Sequence, residues 1–285
     1  MIIVDLSQVM VSTIMSSLKG KQSDIELDVN LIRHMVLNTL RTNINKFKDE
    51  FGDDVVIACD SGNVWRKDVF PYYKARRKID RDASSLNWNE FFECMSTIRD
   101  ELRDYFPYKV IRVERAEADD IIAIICKEYH PHGKIMILSG DKDFQQLQKY
   151  RNIFQYNPVL KKNVVCNDPE KFLKEQILKG DSSDGVPNIL STDSVFVDGG
   201  RQTPLTAKRI AVYIDAEPQD VMSTMVLRNY SRNKTLIDLD NVPAYIEEEI
   251  IKQYENPEGA TDRSKLFNYF ITHKLKNLME TIGDF

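Results

Sequence analysis

Residues 2–7 (IIVDLS), 55–60 (VVIACD), 109–113 (KVIRV) and 134–139 (KIMILS) are short apolar runs with no in–out alternation. Strands of that kind must be covered on both faces, which happens in mainly parallel sheets flanked by helices. The segments between them supply those helices. Leu31, Ile32, Met35, Val36, Leu40, Ile44 and Phe47 recur at helical spacing after a capping Asp28, and Gly52 closes that helix. Further helices are predicted at about 88–105 and 118–129, with an antiparallel edge hairpin near 152–157 and 162–167. The expected fold class is α/β: a central, mainly parallel sheet with helices on both faces.

From Asp168 onward the pattern turns helical. Asp168-Pro169-Glu170 combines a cap, a first-turn proline and a first-turn acid. Thr203-Pro204 offers a second start, and helices are expected near 217–230, 242–255 and 262–281. Two parts follow: an α/β core over 1–168 and a helical part over 169–285.

Composition excludes several classes. With 42% hydrophobic and 29% charged residues, the chain has the make-up of a folded globular protein. Its formal charge of −5 excludes a basic coat for nucleic acid, so any phosphate-binding surface must be local. Cys59, Cys94, Cys126 and Cys166 form no C-x-x-C pair, which argues against a zinc or disulfide framework. His130 and His132 share a short turn and read as solvated loop. The start lacks the basic segment of a secretory signal, and the longest apolar run, 121–126, is far short of the roughly 20 residues of a membrane span. A cytoplasmic monomer is expected, with no membrane contact.

The acids carry the functional signal. Asp5 and Asp60 end the first two strands, and Asp141 and Asp143 follow the strand at 134–139. Glu117, Asp119 and Asp120 open the helix after the 109–113 strand, and Asp181 and Asp184 lie in the turn Gly180-Asp181-Ser182-Ser183-Asp184-Gly185. Ligands of open parallel sheets bind outside the carboxyl ends of the strands, where most of these acids fall. Any one of them alone is more often a cap, a turn residue or a solvated face. Nine together repel strongly unless some protonate or cations bind. All-oxygen ligands select hard ions, so two Mg²⁺, with Mn²⁺ as substitute, are the expected cofactors.

Residues 65–82 (WRKDVFPYYKARRKIDRD) are the complementary feature. Arg66, Lys67, Lys74, Arg76, Arg77, Lys78 and Arg81 outnumber Asp68, Asp80 and Asp82, with Trp65, Phe70, Tyr72 and Tyr73 interleaved. Basic groups neutralise phosphates and aromatic rings stack unpaired bases. Arg66, Lys67, Tyr73, Arg76 and Lys78 are therefore candidate nucleic-acid contacts. A solvated helix with an apolar underside would give the same pattern; the position directly after the Asp60 strand favours the functional reading.

In order, Asp5, Asp60, Glu117-Ala118-Asp119-Asp120, Ser139-Gly140-Asp141-Lys142-Asp143-Phe144 and Gly180-Asp181-Ser182-Ser183-Asp184-Gly185-Val186-Pro187 resemble the acidic motifs of the 5′-nuclease (flap endonuclease) family. Phe70-Pro71-Tyr72-Tyr73-Lys74-Ala75-Arg76-Arg77 resembles its arch segment, and the likeness spans nearly the whole chain. The resemblance implies a PIN-like core with a helical arch at about 65–90 and a helix–turn–helix-like module gripping duplex. It implies metal-dependent hydrolysis that leaves 5′-phosphates, as 5′-3′ exonuclease and flap endonuclease, and removal of RNA primers from lagging-strand fragments. The implied metal ligands are Asp5, Asp60, Glu117, Asp119, Asp120, Asp141, Asp143, Asp181 and Asp184, with Lys74 and Arg77 at the scissile phosphate. Implied partners are RNA–DNA hybrid and duplex DNA with a 5′ end or flap, and, among proteins, a single-stranded-DNA-binding protein and a sliding clamp.

One departure stands out. After Gly185-Val186-Pro187 the family's glycine-rich run is replaced by an insertion at about 188–203, before Pro204-Leu205-Thr206-Ala207-Lys208-Arg209. Lys208 and Arg209, at a helix start, are candidate duplex contacts. Among alternatives, a haloacid-dehalogenase-like phosphatase needs an acid where Ser7 stands. A binding scaffold without catalysis would show gaps in the acid set. A short PIN-type ribonuclease would lack the helical second half.

Overall fold

The structure, a computed structural model, describes residues 1–18, 27–84, 86–260 and 262–285. Ser85, within the polar stretch 78–87, lies outside them. Six strands form one sheet: β1 (Ile2–Asp5), β2 (Val55–Ala58), β3 (Lys109–Ile111), β4 (Ile135–Leu138), β5 (Ile153–Asn157) and β6 (Lys162–Val164). Their order is β3-β2-β1-β4-β5-β6, parallel throughout except for the antiparallel β5–β6 edge pair. The chain moves from β1 to β2 to β3, then returns to the other side of β1 as β4. That reversal makes the β1/β4 boundary the switch point, where the loops part and a site can open.

The strand pattern follows from burial on both faces. Ile2, Val4, Val55, Ile57, Met136 and Leu138 point into one core, while Ile3, Val56, Ala58, Ile135 and Ile137 point into the other. A fully buried Ile such as Ile3 contributes about 1.5–3 kcal/mol through removal from water. The first face is covered by α1 (Leu6–Leu18), α2 (Val29–Phe51) and α5 (Trp88–Tyr105). Between α2 and α5 lie two short helices, α3 (Arg66–Val69) and α4 (Ala75–Asp82). The opposite face is covered chiefly by α6 (Ala118–Tyr129), whose Ile121, Ile122, Ala123, Ile124 and Ile125 are all buried.

The second half contains α7 (Pro169–Lys179), α8 (Ala207–Asp215), α9 (Pro218–Val221), α10 (Thr224–Ile237), α11 (Ala244–Glu255), α12 (Leu266–Thr272) and α13 (Lys276–Met279). These helices are not a body apart. Ile246, Ile250 and Tyr254 of α11 join the core under α6, and Leu266, Tyr269, Phe270 and Leu278 join the core of α1, α2 and α5. Leu178, Ile189, Met222 and Val226 form a smaller cluster of their own.

Three expectations are corrected. The first strand stops at Asp5 and α1 follows at once, because Asp5 accepts the Gln8 amide at 3.0 Å and so caps the helix. The later helix start is at Thr206, whose hydroxyl accepts the Arg209 amide, and not at Thr203. The expected helix at 262–281 is broken into α12 and α13 where Lys274 takes a left-handed φ of 55°.

Candidate active site

The strand ends bring the acids to one edge of the sheet. Asp5 accepts from the Gln8 amide and from Ser139 Oγ, each at 3.0 Å, which ties β1 to the loop after β4. Asp60, just past β2, accepts the Ala118 amide at 2.8 Å and the Ser7 hydroxyl, so it holds the start of α6 against α1. Asp141 accepts the Asp143 amide at 3.0 Å, and Asp143 accepts from Gln176 of α7. Asp119, Asp143, Asp181 and Asp184 line one narrow cleft.

Charge is compensated unevenly. Burial and then the neighbouring Asp60 push the Asp5 carboxyl up to about 7. Burial, then Asp141 and Asp181, push Asp143 to about 7 as well. Asp119 is raised by burial and by Asp141. Glu117 behaves oppositely: burial opposes ionisation, but Lys74 and Arg66 outweigh it and hold the carboxyl below its usual range. Asp181 is also held low, since hydrogen bonds from Lys142 and Ser183 overcome its burial. At Asp184 burial prevails over Lys74 and Arg77, and its carboxyl is raised.

The segment at 65–77 forms the other wall. Lys74 has a left-handed backbone (φ 55°), and its amide donates to Asp184 O at 2.7 Å. Its ammonium group meets Glu117 Oε1 and lies 3.5 Å from Asp184 Oδ2. Arg77, with its side chain 49% exposed, donates to Asp184 Oδ1 at 2.7 Å. The Asp184 turn is closed by Gly185 at φ +73°, where a Cβ would stand 3.0 Å from Tyr72 O. Glycine there lets the acidic turn press against this wall.

Three expected site residues are buried in supporting roles. Arg66 is 2% exposed; it bonds Glu117 at 2.9 Å, Asp120 at 2.7 Å and Leu236 O at 2.9 Å, so it has no reach to a phosphate. Tyr73 is also buried, its hydroxyl 2.9 Å from Glu117 and 3.0 Å from Asp184, which removes its ring as a stacking surface. Asp120 is fully buried; its Oδ2 accepts from Trp65 Nε1 and the Glu117 amide while Oδ1 faces Arg66, so it braces the start of α6 away from the cleft. Lys67, Arg76, Lys78, Lys208 and Arg209 do lie on the surface. Arg76 makes only a long 3.6 Å pair with Asp80.

The sequence reading passed over Lys142, Gln176 and Ser139, each of which contacts one of these acids. For Lys142 the signal was present, since it stands between two of them in the chain. Among the described residues, no three carboxylate, histidine or cysteine side chains close tightly enough to hold a metal by themselves. The oxygens instead face one another across the cleft, with Lys74 and Lys142 on part of them. Such a donor set suits Mg²⁺, which keeps several waters and takes only one or two carboxylates directly.

Comparison with known proteins agrees with this geometry. The family described as 5′-3′ exonuclease, N-terminal resolvase-like domain, matches residues 2–177, and that described as T4 RNase H, C terminal, matches 168–285. Ribonuclease H of Enterobacteria phage T4 is 33% identical over 293 residues, covering 99% of this chain and 95% of that protein. The chain belongs to the 5′-3′ exonuclease family. It is a nuclease, a hydrolase of phosphodiester bonds, and its likeness extends to flap endonucleases. Flap endonuclease Xni of Shewanella sp. (strain MR-4) is 30% identical over 149 residues, 47% of this chain and 52% of that protein. The T5 D15 protein, crystallised with metal ions, shares the fold with a TM-score of 0.65 at 16% identity, covering 90% of this chain and 97% of that one.

Proposed function

We propose that this 5′-nuclease depends on divalent metal, with two Mg²⁺ bound among the carboxylates and Mn²⁺ able to replace them. Its substrates are then 5′ ends and 5′ flaps of duplex DNA and RNA–DNA hybrid, and its task is removal of RNA primers from lagging-strand fragments. One observation carries the reading: acids from five separate stretches of chain meet beside Lys74 and Arg77 at the carboxyl edge of the sheet. A flap endonuclease of phage T5 has been crystallised with DNA and metal ions, and it shares this fold (TM-score 0.64, 17% identity).

In this reading Asp5, Asp60, Asp119 and Asp141 would hold one ion, and Asp143, Asp181 and Asp184 the other, largely through water. Glu117 would lie between the two sets. Ions so held would supply activation of a water and stabilisation of the leaving oxygen of a phosphodiester. The chain's own groups do the rest. Lys74 is kept charged because Asp184 and Glu117 raise its pKa against burial. In this reading its ammonium and the Arg77 guanidinium, which stand on Glu117 and Asp184, would also meet the phosphate as it gains charge, so their contacts would strengthen in the transition state. Arg66, Tyr73 and Asp120 fix the orientation of Glu117 from behind. Lys67, Arg76, Lys78, Lys208 and Arg209 would meet backbone phosphates.

The test is an end-labelled panel of nicked duplex, 5′ flap and RNA–DNA hybrid, each with and without Mg²⁺. Release of short 5′-phosphorylated products that stops on chelation is expected. Cleavage indifferent to excess chelator would overturn the metal assignment, and an uncut hybrid would overturn the primer-removal assignment.

A further inference from the structure

Lys74 and Lys142 both meet acids of the cleft, and they differ in freedom. The Lys74 side chain is 18% exposed, and its backbone amide is fixed to Asp184 O. The Lys142 side chain is 52% exposed, and its ammonium lies 2.8 Å from Asp181 Oδ2. Asp181 itself is buried. Its Oδ1 accepts from the Ser183 amide at 2.8 Å and from the Ser183 hydroxyl at 2.5 Å. A carboxylate oxygen accepts about two bonds, so Oδ1 is full and Oδ2 is the oxygen left for a cation. Asp143 and Asp184 line the same cleft, and Lys142 stands in the chain between Asp141 and Asp143.

We propose that Lys142 is a displaceable counter-cation: it neutralises Asp181 until a divalent ion takes Oδ2, and its ammonium then passes to a backbone phosphate of the bound strand. The inference rests on the metal reading above and adds to it the residue that sets the affinity of the second ion. Two cations on one oxygen repel, so the ammonium and a divalent ion compete for Oδ2. Asp181 is buried and cannot be left without a positive neighbour, and an arriving ion supplies one. Lys142 can leave because its long, flexible side chain is exposed, and leaving puts the ammonium into water. Lys74, enclosed between Glu117 and Asp184, is the opposite case and stays. The released ammonium stands at the solvent edge of the site, and the anion that reaches a nuclease from solvent is the phosphate of its substrate.

Calorimetric titration with Mn²⁺, and separately with Ca²⁺, compares the unaltered chain with Lys142→Met and Lys142→Arg. Lys142→Met should bind the weaker ion about tenfold more tightly, because the charged hydrogen bond that the ion must break is gone. The tighter ion should bind equally in all three chains. Lys142→Arg keeps the charge and should resemble the unaltered chain. A lysine that only props the acidic turn gives the opposite sign, a weaker second ion in Lys142→Met. That result, or no change, would overturn the proposal. A second ion missing from all three chains would sink the metal reading and this inference with it, whereas a second ion bound equally by all three sinks only the inference.

A second arm reads where the ammonium goes. Affinity for 5′-flap DNA is measured by anisotropy over a series of salt concentrations, in chelator and with Ca²⁺ at a concentration that fills both sites. In chelator the unaltered chain and Lys142→Met should give the same slope of log Kd against log salt, since Lys142 is then engaged with Asp181. With Ca²⁺ the slope of Lys142→Met should be shallower by about one, the loss of one phosphate contact. Equal slopes with Ca²⁺ would overturn the transfer to phosphate. A slope already shallower in chelator would make Lys142 a plain phosphate contact and overturn the exchange.

Discussion

Glu117 and Asp181 stand beside cations of the protein itself, whereas Asp5, Asp119 and Asp143 stand chiefly beside other carboxylates. The first pair is held ionised by Lys74, Arg66 and Lys142. The second set is pushed toward protonation by burial and mutual repulsion. One wall of the site is therefore complete as the chain folds, and the other has an electrostatic deficit that exogenous cations can fill. The division runs through single elements: at the start of α6 Glu117 is compensated and Asp119 is not, and in the loop after β4 the cationic Lys142 stands next to the uncompensated Asp143.

Four changes would break or sharpen this contrast. Asp141→Asn removes the carboxylate that neighbours Asp5, Asp119 and Asp143 and should have the largest effect. With Asp141 as the proposed metal ligand, losing its oxygen would forfeit several kcal/mol of charge stabilisation, a fall of about a thousandfold in kcat. Duplex affinity, measured by anisotropy, should stay within about threefold, since the proposed phosphate contacts lie elsewhere. Lys74→Ala strikes the compensated wall. A fall in kcat of about a hundredfold with little change in KM is expected in single-turnover cleavage, because its contact strengthens as charge develops. A rise in KM at unchanged kcat would make Lys74 a simple binding group.

The third prediction concerns pH. Asp5 and Asp143 have folded pKa values of about 7 against an ordinary 3.8. The unfolded chain loses these protons first, so the metal-free fold loses stability as pH rises from about 4 to 7, by a few kcal/mol in order of magnitude. Above pH 7 this contribution levels off. Mg²⁺ binds the ionised forms, so the rise in Tm on adding Mg²⁺ should be several degrees larger at pH 7.5 than at pH 5.5. Thermal scans at the two pH values read this directly, and an equal Mg²⁺ effect at both would contradict the deficit. The smallest effect is expected from Tyr73→Phe, which keeps the buried ring and deletes one hydroxyl between Glu117 and Asp184. About 1 kcal/mol, roughly a fivefold rise in the Mg²⁺ concentration for half-maximal rate, is the expected cost. A change in DNA affinity instead would restore Tyr73 as a contact residue.

The parallel sheet and its acid-bearing edge were legible because apolar strands buried on both faces leave few alternatives. The strand ends then fix where Asp5, Asp60, Asp141 and Asp143 must lie. Helix α1 was not read, although Leu6, Val9, Met10 and Ile14 have helical spacing. Its cap is Asp5 itself, which the reading had already used as a strand end. Arg66 and Tyr73 were misplaced for another reason. A basic, aromatic segment has the same letters whether a given side chain turns outward to solvent or inward to buried acids. Only the tertiary partners, Glu117, Asp120 and Asp184, decide it. The break between α12 and α13 left no proline or glycine signal, since a lysine takes the left-handed turn.

The most direct measurement of the uncompensated wall is a calorimetric titration of the metal-free chain with Mn²⁺ near pH 6.5, in buffers of different protonation enthalpy. Two ions per chain, with protons released as they bind, are predicted, and Asp141→Asn should lose one of them. Binding without proton release, or no binding at all, would contradict a site in which burial, and then neighbouring carboxylates, hold Asp5 and Asp143 near 7.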